Sequence, residues 1–324
     1  MDKKCGNLVI SLDFELFWGV FDVVTLDSFK RDMDGAREGI PKLLELFEKY
    51  GIHATWGAVG FLLAEDEDKL RGYIPEVLPK YKVKKSHYDY IESGSITDEN
   101  SIYHFAPDLI EKILETPNQE LASHTFSHYH GSDEGRCGES FEADIVAAKR
   151  IAKDKFGIVP HSLIFPRNQY DETSVRILKE QGFIAYRGRP ESSAYNGRAL
   201  VRRMFRLIDT YIPICGKKYY DRSGCLKDGI ANIKASVFLR KYSRRLRLLE
   251  PLKMKSIKSQ MKKAAIKGKI FHIWWHPHNM GGNLTMFLRQ TEEILMYYKE
   301  LHEKYGFESR SMGELAKEIM EENA

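Results

Sequence analysis

The 324-residue sequence has no long hydrophobic run and only four cysteines. No stretch approaches the roughly 18 apolar residues of a membrane-spanning helix, so the sequence predicts no transmembrane segment. Its first residues, MDKKCGNLVISLDFE, reach acidic side chains after only a few apolar ones, which does not predict a secretory signal peptide. The cysteines have scattered spacing and form no CxxC pair. These absences predict a cytoplasmic protein with reduced thiols.

Charge is nearly balanced overall but unevenly distributed. The formal net charge is +4, and 43% of the residues are hydrophobic, which is typical of a globular protein with a sizeable core. The segment FLRKYSRRLRLLEPLKMKSIKSQMKKAAIKGK contains a single acid, Glu250. It fits either a solvated helical pair broken at Pro251 or a surface for anionic lipid headgroups or phosphate groups. No recognised nucleic-acid motif accompanies this charge, so we expect no nucleic-acid partner.

Strand-like and helix-like patterns alternate along the chain. Apolar runs predict strands at LVISLD, HATWGAV, ELASHT, SLIFP, FIAYRG and KIFHIWWH. Helical spacing predicts helices from Met33 to Tyr50, near Ser140 to Phe156, after Asp171, and from about Leu284 to Tyr305. This alternation predicts an α/β fold of parallel strands joined by crossover helices, either an open doubly wound sheet or a barrel.

Two stretches interrupt this alternation, at about residues 62–104 and 198–268. The first is polar, rich in tyrosine and poorly patterned for one crossover helix. The second is basic and largely helical in pattern. We therefore predict a single domain over residues 1–324 that carries two insertions.

Two acids lie at the end of the first predicted strand. Alternate residues of a strand share a face, so Ser11, Asp13 and Glu15 point together while the apolar residues between them point the other way. Burying an unpaired carboxylate costs several kcal/mol or more, so each acid requires a partner.

The stretch SHTFSHYH contains His124 and His128 in an HxxxH spacing. If a helical turn forms there, positions i and i+4 place both imidazoles on one face, where they can bind one metal ion. The pair follows the third strand, at the edge where parallel α/β folds place their sites. Two histidines and a carboxylate make a three-ligand site that leaves a position open for water.

The late strand FHIWWHPHN supplies an acid–base candidate. Strand alternation groups His272 with Trp274 and His276, and Pro277 ends the strand. His276 then lies at the rim, with His278 just beyond it. His272 lies deeper and fits a hydrogen-bonded core histidine.

In this order, SLDFE, ATWG, SHTFSH and HIWWHPHN resemble the metal-dependent polysaccharide deacetylases with a NodB-homology domain, carbohydrate esterase family four. The resemblance implies a distorted (β/α)7-type barrel with inserted segments. It also implies that one acid of the first strand is a general base, that the other acid and the HxxxH histidines bind a metal, and that a late histidine is the acid.

The resemblance assigns a role to each of these residues, with zinc as the preferred divalent ion. The catalytic residues are Asp13, His276 and Arg167, and the metal ligands are Glu15, His124 and His128. The substrate-binding residues are Tyr170 and His278. A backbone N–H near Tyr170 is expected to donate to the oxyanion. Asp13 is assigned as the base and Glu15 as the ligand from their order in the sequence, and the opposite assignment stays open.

Three features depart from the common family pattern. The paired acids are separated by Phe14, which resembles a DxE subgroup. The arginine–proline motif appears in altered order as FPRNQY, where Arg167 is the candidate partner of Asp13. The aspartate that tunes the acid histidine is not evident, and Glu191 and Asp209 are both left open as replacements.

The predicted function is hydrolysis of an N-acetyl (or N-formyl) group on an amino sugar. Without an export signal, the expected substrate is a nucleotide- or lipid-linked precursor of a cell-surface polysaccharide. The basic segment adds an expected peripheral contact with the anionic inner face of the membrane. The predicted location is therefore cytoplasmic, at or near that face.

Three alternatives compete with this prediction. A related metal-dependent amidohydrolase acting on a small cyclic amide or ureide would share fold and ligands, so only substrate screening separates it. An Fe(II) oxygenase needs the same ligand set, but its all-β fold disagrees with the crossover helices. A barrel that only binds glycan requires a missing catalytic member, whereas the sequence contains all of them.

Overall fold

The computed structural model of the protein describes residues 5–82, 86–190, 199–212, 214 and 216–323. Its strands are β1 (Asn7–Phe14), β2 (Ala54–Ala58), β3 (Gln119–Ser123), β4 (Ser162–Ile164), β5 (Ala185–Arg187), β6 (Leu226–Lys227), β7 (Ile230–Asn232), β8 (Val237–Phe238), β9 (Ile270–Trp275) and β10 (Glu308–Ser309). Its helices are α1 (Leu26–Tyr50), α2 (Glu67–Arg71), α3 (His87–Glu92), α4 (Pro107–Glu115), α5 (Gly138–Phe156), α6 (Glu172–Glu180), α7 (Ala199–Tyr211), α8 (Glu250–Lys267), α9 (Leu284–Tyr305) and α10 (Met312–Glu321).

One curled sheet organises the molecule. The strand order is β6-β7-β5-β4-β3-β2-β1-β9-β8, and β10 pairs with the start of β1. Every pairing is parallel except the one between β6 and β7. The sheet forms a half-barrel, which confirms the predicted α/β fold of the distorted-barrel type.

The connection between β7 and β8 joins the two edges of this sheet. On one side, the backbone N–H groups of Ile233 and Ala235 donate to the carbonyls of Tyr186 and Gly188. On the other side, the N–H of Ser236 donates to the carbonyl of His272. The chain therefore crosses from β5 to β9, and the carboxyl ends of these two strands lie close together.

The sheet centre follows from the apolar sequence of β1 and β9. All eight residues of β1 and all six of β9 are buried, as expected for parallel strands covered by helices. The register places Leu12 beside Trp275 and Asp13 beside Gly57. Asp13 and the end of β9 consequently meet at the carboxyl edge of the sheet.

The helix boundaries agree with the sequence where caps are strong. Asp171 caps α6 by accepting from the N–H of Ser174, as predicted, and α9 spans the predicted range. Helix α1 begins earlier than predicted, at Leu26, because Thr25 caps it and its first two turns are mostly polar and exposed.

The two predicted insertions differ in their structure. In the described part of residues 62–104, the helical elements are the short α2 and α3 and 3₁₀ turns, with loops between. Residues 198–268 contain α7 and α8, but also β7 and β8, which are strands of the main sheet. Pro251 lies in the first turn of α8 and does not break a helical pair. The single-domain division itself stays a prediction.

Within the described ranges, none of the helices has the length and apolar character required to cross a membrane.

Candidate active site

Two buried carboxylates lie at the carboxyl end of β1. Asp13 belongs to the strand and Glu15 follows it directly, at the start of the 3₁₀ turn Leu16–Gly19. Nε2 of His276 lies 3.7 Å from Oδ2 of Asp13 and 3.6 Å from Oε1 of Glu15. The two acids therefore face the same space, as strand alternation predicted.

Asp13 is held by a buried arginine from β5. Nη1 of Arg187 donates to Oδ1 of Asp13, and Nη2 donates to Oδ2 at 2.7 Å. Arg187 is fully buried, and its guanidinium stacks over Trp274 at 4.1 Å from the ring centroid. Burial alone would raise the pKa of Asp13, but the charges of Arg187 and His276 outweigh it, so this pKa lies below its usual value. Asp13 is therefore ionised at neutral pH.

The predicted pairing of Arg167 with Asp13 is wrong. Arg167 lies in the turn Pro166–Asn168 with a left-handed backbone (φ 54°), and its Nη2 donates to Asp22 at 2.7 Å. The turn directs this side chain away from Asp13 toward the partly exposed Asp22. Arg187 was missed, although it lies near the end of the predicted strand FIAYRG, at the same carboxyl edge.

Glu15 contacts both histidines of the HxxxH motif. Its Oε2 lies 3.3 Å from Nε2 of His124 and 3.1 Å from Nε2 of His128. The helical turn that was the condition for an i, i+4 pair does not form, because Thr125 and His128 have left-handed φ values of 63° and 56°. A tight loop, instead of an i, i+4 helix face, brings the two imidazoles together.

The chemistry of these three residues fits a divalent metal ion. One ligand atom from each of Glu15, His124 and His128 lies within 4.8 Å of the others. Nδ1 of His124 donates to the carbonyl of Ile164 at 2.8 Å, which leaves Nε2 with its lone pair. That buried Nε2 has no hydrogen-bond partner among the described residues. An imidazole held in this way by a carbonyl is typical of a metal ligand.

The protonation states of Glu15 and His128 suit the binding of a cation. Burial would raise the pKa of Glu15, but the charge of His276 and the hydrogen bond from Nε2 of His128 place it well below its usual value. Burial lowers the pKa of His128 to about 4. Glu15 is thus a carboxylate and His128 a neutral imidazole at neutral pH, the forms that bind metal.

His276 and His278 stack on each other beyond β9, with ring centroids 4.8 Å apart and an interplanar angle of 18°. Nδ1 of His278 lies 4.0 Å from Oε1 of Glu15, and burial lowers the pKa of His278 to about 3. His276 is partly exposed, whereas its two carboxylate neighbours are buried. It is therefore the group of this cluster that solvent and a ligand reach most easily.

The other candidates lie outside this cluster. Tyr170 stacks on Phe165 at 4.9 Å, and its hydroxyl accepts from the N–H of Arg189, so its substrate role stays a prediction. Asp209 forms an ion pair with Lys218. Glu191 lies outside the described residues, as does Cys215.

His272 is a core histidine, as the sequence predicted. Its Nε2 lies 2.8 Å from Oγ of Ser11, and its Nδ1 lies 3.1 Å from the carbonyl of Lys234. Burial lowers the pKa of His272 to about 3.

Asp144 of α5 organises the histidine loop and was missed by the sequence interpretation. Its carboxylate accepts from the N–H of Phe126 at 2.6 Å and from the N–H of Ser127 at 3.1 Å. The hydroxyl of Ser127 donates to it at 2.5 Å. Asp144 therefore fixes the two residues between the left-handed Thr125 and His128. The sequence did not indicate this contact, because an acid within a helical pattern does not show which loop it will meet.

Comparisons with known proteins gave one family match and several structural matches. The sequence model of the family "Polysaccharide deacetylase" matches residues 32–186, a range that contains both HxxxH histidines but neither acid of β1. No curated protein matches the chain at a significant level.

Solved structures agree with the fold at low sequence identity. A protein named as a polysaccharide deacetylase from Mycobacterium smegmatis aligns with a TM-score of 0.58 and 10% identity over 99% of this chain and 92% of its own. Another so named, from Pseudomonas aeruginosa PAO1, gives 0.52 and 11% over 97% and 89%. Puue allantoinase gives 0.54 and 13% over 98% and 91%. At these identities the likeness establishes the fold alone.

Three observations agree: the family match over residues 32–186, the distorted-barrel fold and the motifs at the carboxyl edge of the sheet. The chain accordingly resembles the polysaccharide deacetylases with a NodB-homology domain, carbohydrate esterase family four.

Proposed function

We propose that the protein is a metal-dependent hydrolase that removes an N-acetyl (or N-formyl) group from an amino sugar. The observation that carries this proposal is one cluster that combines a metal-ligand set with an acid–base pair. Glu15, His124 and His128 form the ligand set, and His276 lies within 4 Å of both Glu15 and Asp13.

Glu15, His124 and His128 would hold the divalent ion, with zinc preferred for two imidazoles and one carboxylate. When bound, the ion supplies Lewis acidity, which acidifies water and polarises the acyl carbonyl. The ligand role of Glu15 is supported by its contacts with both histidines, and the base role of Asp13 by its pairing with Arg187.

The chain's own residues move the protons. Asp13 accepts a proton from the attacking water, since Arg187 keeps its carboxylate ionised and fixes both of its oxygens. Protonated His276 donates to the departing amine, because an amine anion is a prohibitive leaving group. Acid and base of this kind contribute roughly 10²–10⁴-fold each.

A neighbouring cavity supports a large, anionic precursor as substrate. The cavity has a volume of about 600 Å³ and is lined by Trp274, which contacts both Arg187 and His276. Lys218, Asp209 and Arg240 also line it; Lys218 is paired with Asp209, so these three side chains leave one net positive charge in the wall. A nucleotide- or lipid-linked amino sugar offers phosphate groups of matching charge.

The basic segment supports a contact with the anionic, cytoplasmic face of a membrane. Arg244, Arg245 and Arg247 are exposed, and Leu248, directly beside them, is 83% exposed. Basic and apolar side chains in one exposed turn suit an interface of lipid headgroups and acyl chains.

Neutralising this surface tests the membrane contact. Changing Arg244, Arg245 and Arg247 to Gln should reduce co-sedimentation with phosphatidylserine vesicles at low salt, at about 1 kcal/mol per residue. Changing the exposed Lys262, Lys263 and Lys255 to Gln is the control for charge alone. Equal binding by the wild type and the arginine variant would remove this part of the proposal.

Metal analysis coupled to a product screen tests the function. The purified protein should release acetate or formate from nucleotide- or lipid-linked amino sugars, and His124→Gln should lose this activity together with the ion held by Glu15, His124 and His128. His161→Gln, a change of an exposed histidine, is the matched control. Turnover of a cyclic amide or ureide without acyl release would identify the related amidohydrolase instead.

A further inference from the structure

A second group of three buried histidines lies beside the candidate metal site. One ring nitrogen from each of His87, His128 and His130 lies within 4.8 Å of the others. The ring centroids are 5.0 to 5.7 Å apart, and each residue is 1% exposed. Three imidazoles buried together in this way need partners for their polar atoms.

The outer contacts of His87 and His130 determine which nitrogen faces the group. Nε2 of His87 lies 2.9 Å from the carbonyl of Trp18, which only accepts, so Nε2 carries the proton and Nδ1 has the lone pair. Nδ1 of His130 lies 2.8 Å from Oδ2 of Asp133, so Nδ1 donates. The Nε2 of His130 is buried and has no hydrogen-bond partner in the described part of the chain.

These outer partners are the ones that metal-binding histidines use. Such a histidine donates its other N–H to a carbonyl or a carboxylate, which fixes the ring and makes the ligand nitrogen more basic. Trp18 supplies the carbonyl for His87, and Asp133 supplies the carboxylate for His130. Asp133 also adds a negative charge that three imidazoles lack.

His128 lies between the two groups. Its Nε2 lies 3.1 Å from Glu15, within the first group. Its Nδ1 is buried and unpartnered across the described residues, and its ring is also close to His87 and His130. Since the two nitrogens of one imidazole point in different directions, one ring serves both groups.

We propose that His87, His128 and His130 bind a second divalent ion of the nitrogen-preferring kind, zinc or copper, and that His128 bridges it to the first ion. Three imidazoles leave a fourth tetrahedral position for water. When both ions bind, each nitrogen of His128 coordinates one of them, and the ring releases its remaining proton to solvent. This site goes beyond the proposed deacetylation and does not depend on it.

Metal stoichiometry of the full chain tests the proposal. After removal of metal with a chelator, calorimetric titration with Zn²⁺ and elemental analysis should give two equivalents for the wild type. His130→Gln should reduce this to one equivalent, and Glu15→Gln should also leave one. His161→Gln, at an exposed position, should retain two.

Asp133→Asn separates ligand positioning from folding, because this side chain is 21% exposed and lies outside both ligand sets. It should weaken the second equivalent by roughly 10–100-fold and leave the first unchanged. One equivalent in the wild type, with unchanged binding in His87→Gln and His130→Gln, would overturn the site. A protein that binds two equivalents but releases no acyl group would instead contradict the proposed function alone.

Discussion

At the scale of single residues, the pairing of Asp13 with Arg187 determines the state of the candidate base. Arg187 contacts both oxygens of Asp13 with two nitrogens, and only a guanidinium can do so in this geometry. The two residues are 174 positions apart, so nothing local in the sequence could predict that they meet. The run FIAYRG predicted the end of β5 to within one residue, but not that the side chain of Arg187 reaches Asp13.

Arg187→Lys tests this pairing. Lysine keeps the charge but loses one of the two hydrogen bonds, so we expect the proposed deacetylation to fall by roughly 10²-fold. The pKa of Asp13 should rise, which moves the acid limb of the pH–rate profile to higher pH. Arg167→Lys changes a partly exposed pair with Asp22 and should leave both rate and profile close to those of the wild type. The same loss in both variants would contradict the special role of Arg187.

Gly19 leaves room for the carboxylate of Glu15. A Cβ at this position would lie 2.0 Å from Cδ of Glu15, so Gly19→Ala must displace the proposed ligand. We expect metal binding to weaken by roughly 10–100-fold, in line with other changes around metal ligands. Gly72→Ala is the control, because a Cβ there has only one neighbour, at 3.4 Å. Equal metal affinity in both variants would contradict this prediction, since it would mean that Glu15 moves aside without losing its ligand position.

At the scale of elements, the apolar runs predicted six strands of the sheet, β1 to β5 and β9, and missed the short strands β6, β7, β8 and β10. The runs LVISLD and KIFHIWWH gave β1 and β9, because every residue of these strands is buried. Strands β6, β7 and β8 have only two or three residues each, and their place in the sheet depends on backbone contacts with β5 and β9. The histidine loop is not the helical turn that the HxxxH spacing allowed, since hydrogen bonds to the distant Asp144 hold the residues between its two left-handed positions.

Asp144→Asn tests how α5 holds the histidine loop. An asparagine has one acceptor oxygen, so it cannot replace a carboxylate that accepts from two backbone N–H groups and the Ser127 hydroxyl. An unsatisfied buried donor costs roughly 1–3 kcal/mol, which urea unfolding should detect, and metal binding should weaken with it. Asp154→Asn changes an exposed acid of the same helix and should alter neither. Normal metal binding in the Asp144 variant would show that the loop holds its shape without this carboxylate.

At the scale of the whole molecule, the curled sheet gathers residues from β1, β3, β5 and β9 at one edge. The sequence predicted this edge correctly, because acids and histidines follow several predicted strands there. It assigned His124 and His128 as ligands and His272 as a core residue, but it left open whether the buried His87 and His130 are ligands or core residues. That distinction depends on the partner of each ring nitrogen, which only the folded structure supplies.

Buried neutral histidines make the stability of the metal-free protein depend on pH. His104, far from the ligand sets in sequence, has both ring nitrogens hydrogen-bonded, to the carbonyl of Asn100 and the hydroxyl of Tyr90. Burial lowers the pKa of His104 to about 4, below that of the unfolded chain. The unfolded state therefore binds more protons below about pH 6.5, and the stability contributed above that pH is lost as the pH falls toward 4.

His104→Gln tests this linkage, because glutamine retains hydrogen-bonding groups but does not titrate. At 1.36 kcal/mol per pH unit, the wild type should lose up to roughly 3 kcal/mol through His104 between about pH 6.5 and pH 4. Urea unfolding of both chelator-treated proteins across this range should show that the variant, less stable at pH 7, approaches or exceeds the wild type near pH 4. Other buried histidines titrate in both proteins and cancel in the difference. Parallel stability curves would mean that His104 charges without cost, in conflict with its burial between Phe17, Trp18 and Tyr90.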